Sequence, residues 1–138
     1  MSRRDVFVDT SAFYALFCAT DSYHQTAVDA LAQLSAESAA LFTARTTLHE
    51  SYTLIHARLG RKNLIRFHAS VGQSQWLQVL DVPPDWEAAA WSLLEQQSDK
   101  NYSLVDAIAF AAMSALDTHR AFAFDRHFQQ AGFELVHT

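Results

Sequence analysis

The chain has 138 residues, half of them hydrophobic, only three Gly and two Pro, and a formal charge of −5. That length fits one domain with a real core, and the composition excludes a disordered, fibrous or low-complexity chain. The acidic balance argues against a general nucleic-acid coating protein. The single cysteine, Cys18, excludes an internal disulfide and points to a reducing compartment, the cytoplasm.

Residues 4–9, RDVFVD, read as a short buried strand rich in β-branched and aromatic side chains. Ser2-Arg3-Arg4 before an apolar stretch imitates a secretory or twin-arginine signal, but Asp9 and then Asp21 interrupt it. Ser11 is placed to cap a helix running to about Cys18. A second helix starts at Asp21 or Ser22 and carries Ala27, Leu31 and Leu34 on one stripe. LFTA at 41–44 is the second strand. Thr46 or Thr47 is expected to cap a helix through Leu59, which Gly60 stops. A further helix covers 61–73, and WLQVLDV at 76–82 reads as a strand.

Pro83-Pro84 breaks the chain, and Pro84 suits the first turn of a helix to about Gln97. A polar loop follows at 98–102. Ser103 opens the apolar helix SLVDAIAFAAMSAL, and AFAF at 121–124 forms a strand ending at Asp125. A short helix, Gly132 and the strand FELVH complete the order. Strands and helices alternate throughout, which predicts one α/β domain with a small, mostly parallel sheet flanked by helices. No stretch of about 18 apolar residues is present, so no membrane span is expected.

Four carboxylates stand out. Asp9 and Asp125 each end an apolar strand just before a helix, where ligands bind in parallel α/β sheets. Each can equally be a helix cap. Asp106 lies in Ser103-x-x-Asp106, which resembles a capping box, but its helix is apolar nearly all round and should be buried. Glu50 lies beside the apolar stripe Leu48, Tyr52, Ile55 and Leu59 of its helix; a solvated acid is the plain alternative. His49-Glu50 begins a near-match to H-E-x-x-H, but Thr53 stands where the second zinc ligand belongs. Four converging acids cannot all ionise cheaply, and a hard divalent cation such as Mg²⁺ or Mn²⁺ resolves the conflict. Such a site suits phosphodiester hydrolysis.

VDTSAF at 8–13, Glu50, YSLVDAIAFAAM at 102–113 and FAFDRHF at 122–128 together resemble the PIN-domain ribonucleases, in particular the VapC-type toxins of toxin–antitoxin pairs. The resemblance spans nearly the whole chain. It implies that Asp9, Glu50, Asp106 and Asp125 are the metal-binding acids, supported by Thr10, Ser11 and Ser103. It also implies Mg²⁺ or Mn²⁺ dependence, endonucleolytic cleavage of RNA, a homodimer, and inhibition by a small VapB-like antitoxin. One departure is visible: many relatives place another acid where this chain has His127, which bears on whether one or two ions bind.

Between Ala39 and Leu80 stand five basic residues and one acid, an inversion of the rest of the chain. Of these, Arg58, Arg61, Lys62 and Arg66 are candidates for cradling RNA phosphates, with an ordinary solvated face as the alternative. Trp76, Trp86 and Trp91 are expected in the core or an interface. Phe13, Tyr14 and Phe17 suit core packing or a dimer interface equally. Cys18 is expected to be a small buried apolar group. Two other functions compete: a haloacid-dehalogenase-like phosphatase, which needs a second Asp two residues after the first, and a non-catalytic acidic interaction module whose acids are only caps. Asp9-Thr10-Ser11 lacks that second Asp.

Overall fold

Three residues, Val6–Val8, form the central strand β1, and none of them is exposed. Val6 and Val8 pack on one face of the sheet and Phe7 on the other. A strand so buried must have helices on both sides. The computed structural model describes residues 4–137; Ser2 and Arg3 of the signal-like segment lie outside them. The elements that follow are α1 (Thr10–Phe17), α2 (His24–Ala36), β2 (Leu41–Ala44), α3 (Arg45–Leu59), α4 (Arg61–Gln73) and β3 (Leu77–Leu80). Then come α5 (Pro84–Gln96), α6 (Leu104–Ala115), β4 (Arg120–Phe122), α7 (Arg126–Gln130) and β5 (Glu134–Leu135).

The sheet has five strands in the order β3-β2-β1-β4-β5, and every pairing is parallel. The chain builds outward from β1 to β3, then crosses back to β4 and β5. The direction of winding therefore reverses between β1 and β4, which opens a crevice at their carboxyl ends. One core layer joins β1 to helices α1–α4 through Phe13, Leu34, Ile55 and Phe67. The other joins Phe7 and Phe42 to Phe110, Met113 and Phe128 of α6 and α7. Helix α6 also packs against α5 through Ala90 and Ile108, so it is buried on two sides, as its apolar sequence predicts.

Several boundaries differ from the sequence reading. The first strand stops at Val8 because Asp9 turns the backbone into α1. Asp9, not Ser11, is the N-cap: its side chain accepts the Ser11 N–H. Helix α2 begins at His24; Asp21 instead accepts the Tyr23 N–H and holds the turn before it. Neither Thr46 nor Thr47 caps α3, which leaves β2 directly at Ala44 and has no side-chain cap. Both threonines fall inside the first helical turn, where their hydroxyls are buried without a partner. Gly60, at φ +87°, separates α3 from α4 in a conformation that β-carbon-bearing residues disfavour. Strand β4 begins one residue early, at Arg120, and releases Ala123 and Phe124 as a link to Asp125 that bends at Phe124. β5 is reduced to two residues.

Among the tryptophans, Trp76 and Trp91 are 39% and 49% exposed, so neither is core. Trp86 is half-buried and lines a cavity of about 620 Å³. Phe13 is core, while Tyr14 and Phe17 pack at its margin. Cys18 is half-buried rather than buried, its Sγ 3.4 Å from Thr20 Oγ1.

Candidate metal-dependent nuclease site

The four acids arrive from four separate elements. Asp9 follows β1 and Asp125 follows β4, the two strands flanking the crevice. Asp106 is in the first turn of α6, and Glu50 is on α3. All four line one cleft of about 420 Å³, together with Thr10, Ser11, Tyr14, Asp21, Tyr23, Arg58, Ser103 and Phe124.

Each acid is held by one oxygen. Asp9 Oδ2 accepts the Ser11 N–H at 3.1 Å and the Ser11 hydroxyl at 2.7 Å. Glu50 Oε1 accepts the Thr10 hydroxyl at 2.8 Å, and Ser51 donates to that Thr10 oxygen in turn. Asp106 Oδ2 accepts the Ser103 N–H at 3.1 Å, while Ser103 Oγ accepts the Asp106 N–H at 3.0 Å, completing a capping box. Asp125 Oδ1 accepts the His127 N–H at 2.9 Å. Among the described residues, no hydrogen bond reaches the second oxygen of any of the four. Asp9, Asp106 and Asp125 therefore serve helix caps with one oxygen and keep the other unengaged, while Glu50 is fixed by Thr10 instead.

Ser11 does more than hold Asp9. Its Oγ also accepts the Phe124 N–H at 2.9 Å, across the crevice from β1 to the end of β4. One hydroxyl thus fixes the separation of the two strand ends.

His127 is half-buried. Its Nδ1 lies 2.9 Å from Asp106 Oδ2 and 3.4 Å from Asp125 Oδ1. Asp106, Asp125 and His127 offer ligand atoms all within 4.8 Å of one another. The sequence gave no sign of this bridge, which depends on α6 and α7 meeting.

Burial dominates the electrostatics. Desolvation pushes the Asp9 carboxyl up to about 7; the nearby Asp106 and Asp125 charges add to this, and the Ser11 hydrogen bonds oppose it. Glu50 is also raised, again by burial first, with the Thr10 hydrogen bond opposing. Acids that resist ionisation while keeping unengaged oxygens fit an oxygen-ligated divalent cation.

The basic candidates divide. Arg58 lines the cleft, its guanidinium 5.2 Å from the centre of the Tyr14 ring. Arg61, Lys62 and Arg66 are exposed on α4 and do not line the cleft. Arg61 and Lys62 occupy the first turn of α4, where the helix dipole disfavours cations. Arg45 is drawn off by Asp81, 2.7 Å away. Sequence reasoning missed the aromatic lining of the cleft. Phe124 adjoins Asp125, and Tyr14 lies one helical turn beyond Thr10; either offset could have flagged them.

A cleft lined by four acids at the switch point of a parallel sheet points to a class, and the chain matches the PIN domain family model over residues 6–134. The chain belongs to the PIN-domain family, whose members are metal-dependent nucleases. It is 35% identical over 128 residues to the 23S rRNA-specific endonuclease VapC20 of Mycobacterium tuberculosis, covering 93% of this chain and 95% of that protein. The crystal structure of VapC20, described as a sarcin–ricin loop cleaving toxin, superposes with a TM-score of 0.82, covering 94% and 96% of the two chains. The fold is shared with VapBC2 of Rickettsia felis, solved on a promoter DNA fragment, at a TM-score of 0.70 and 12% identity over 94% and 96% of the chains. It is shared also with FitAcB of Neisseria gonorrhoeae at 0.69 and 16%, over 94% and 95%. Among the described residues no helix is long and apolar enough to cross a membrane.

Proposed function

We propose that this chain is an endoribonuclease and the toxin half of a toxin–antitoxin pair, cutting a loop of large-subunit ribosomal RNA. The carrying observation is the cleft itself: four acids, each fixed by one oxygen and free at the other, at the switch point of the sheet. Near-full-length identity to a 23S rRNA endonuclease supports the choice of RNA.

Asp9, Asp106 and Asp125 would hold Mg²⁺ or Mn²⁺, directly or through water, with Glu50 on the second side. Such an ion would supply Lewis-acid polarisation of the phosphodiester and charge stabilisation for the leaving oxygen. Glu50 is suited to take the proton of the attacking water: its pKa is raised, and Thr10 fixes its orientation. Ser11 and Ser103 keep Asp9 and Asp106 from turning away. Arg58 stands at the cleft to meet a backbone phosphate, and Arg61, Lys62 and Arg66 extend positive charge outward from it. A homodimer in the cytoplasm, silenced by a VapB-like antitoxin, completes this reading.

The test is cleavage of purified ribosomes, and of a stem–loop copy of the sarcin–ricin loop, with Mn²⁺ present and the ends mapped by primer extension. A single cut that vanishes in Asp9→Asn and Asp106→Asn is expected. Cutting that survives both substitutions overturns the site; cutting confined to other RNAs overturns the substrate.

A further inference from the structure

We infer that Tyr23 is a stacking platform for an unpaired base of the RNA beside the scissile phosphate. This rests on the nuclease reading above and adds to it a residue that contacts the substrate.

Tyr23 is 50% exposed, unusual for a ring so firmly held. Its ring stacks on Phe124 with centroids 4.6 Å apart and planes 20° apart. Phe124 is itself packed on His137 at 4.3 Å. The Tyr23 backbone is anchored as well, its N–H donating to Asp21 Oδ2 at 3.0 Å. Phe124 is the neighbour of Asp125, and its N–H donates to the same Ser11 oxygen that donates to Asp9. The aromatic stack and Asp9 are therefore tied to one hydroxyl, and the stack and all four acids line one cleft.

A half-exposed tyrosine on a helix start has two ordinary explanations: a cover for Phe124, or a contact with another protein. Position favours a third, contact with the substrate. Tyr23 borders the acids, where a chain threading toward them must pass its bases as well as its phosphates. RNA loops are recognised by stacking splayed bases on aromatic side chains, and the ordering cost here is met in advance. Arg58, held on the Tyr14 ring in the same cleft, supplies a cation for the adjoining phosphate.

The experiment uses the full chain with a stem–loop RNA, intact or with one abasic nucleotide beside the cut. Affinity is measured in the cleavage-dead Asp9→Asn background and rates in the wild type. Tyr23→Ala is expected to raise Kd and KM roughly 5- to 150-fold, with kcat changed far less, and Tyr23→Phe to restore both. The abasic RNA should bind the Tyr23 protein as weakly as intact RNA binds Tyr23→Ala, with no further loss when the two changes are combined. Thermal melting of Tyr23→Ala separates misfolding from lost binding; rescue by Tyr23→Phe with an abasic effect intact supports the platform either way. Unchanged KM in a folded Tyr23→Ala, or additive losses with abasic RNA, overturns the platform and leaves the nuclease standing. Loss of antitoxin affinity without loss of RNA affinity overturns it in favour of a protein contact. Failure of the wild-type protein to cut any RNA overturns the nuclease reading first, and the platform with it.

Discussion

Asp9 and Asp125 begin two helices in the same way. Each follows a strand of the parallel sheet, caps the next helix, and accepts the N–H two residues ahead. Their surroundings differ. Asp9 is 5% exposed under the core, and burial raises its carboxyl to about 7. Asp125 is half-buried and has the His127 imidazole 3.4 Å away. One local motif thus yields an acid that resists charging and an acid with an imidazole at hand. Sequence position chooses the residue type, and depth in the fold chooses its chemistry.

The largest effect tests whether that difference is real. Asp9→Asn and Asp125→Asn should each cut RNA cleavage by at least about 100-fold, the scale of losing one charge-stabilising contact. Their melting curves should part: in EDTA above pH 7, Asp9→Asn should gain about 1 kcal/mol or more, several degrees in Tm, because it removes a costly buried charge. Asp125→Asn should gain nothing. Equal shifts would dissolve the comparison.

Acidity sharpens the same contrast. The folded Asp9 holds a proton up to about pH 7 that the unfolded chain releases near its ordinary value of 3.8. Its contribution to stability is therefore full below about pH 4 and is lost as pH rises through about 7. Melts of the metal-free protein from pH 5 to pH 8 should show this decline, Asp9→Asn should flatten it, and Mn²⁺ at 100 times its Kd should restore about 2.7 kcal/mol at the alkaline end. A decline unchanged in Asp9→Asn would assign it to another group.

Ser11→Ala probes the bridge between the two strand ends. It strands the Phe124 N–H and loosens Asp9, and should cost roughly 1–3 kcal/mol of stability and about 10- to 100-fold in activity. Urea unfolding and initial rates would measure both. The smallest effect lies farthest from either acid: replacing Arg61 and Lys62 together by Ala should lower the salt slope of single-stranded RNA binding by about 1.4. An unchanged slope removes them from the footprint.

Much of this was legible in the chain. VFVD announces a strand ending in an acid, and Ser103-Leu104-Val105-Asp106 announces a capping box, because residue type and short spacing determine both; AFAFD announces a strand too, but it ends three residues before its acid. The apolar wrap of α6 foretold its burial. The His127 bridge and the Tyr23–Phe124 stack were not legible, since each joins segments about 20 or 100 residues apart whose meeting depends on the whole topology. The Thr46 and Thr47 caps failed for a related reason: β2 runs into α3 without a turn, so hydroxyls suited to a cap fall within the helix.

The four acids are gathered before any ion arrives, each already fastened by one oxygen. Crowding of the four carboxyls is therefore built into every newly folded copy, and protonation of Asp9 relieves part of it. On the proposed metal-binding reading, lifetime as well as activity should follow divalent-ion supply, copies starved of metal opening more often and meeting proteases first.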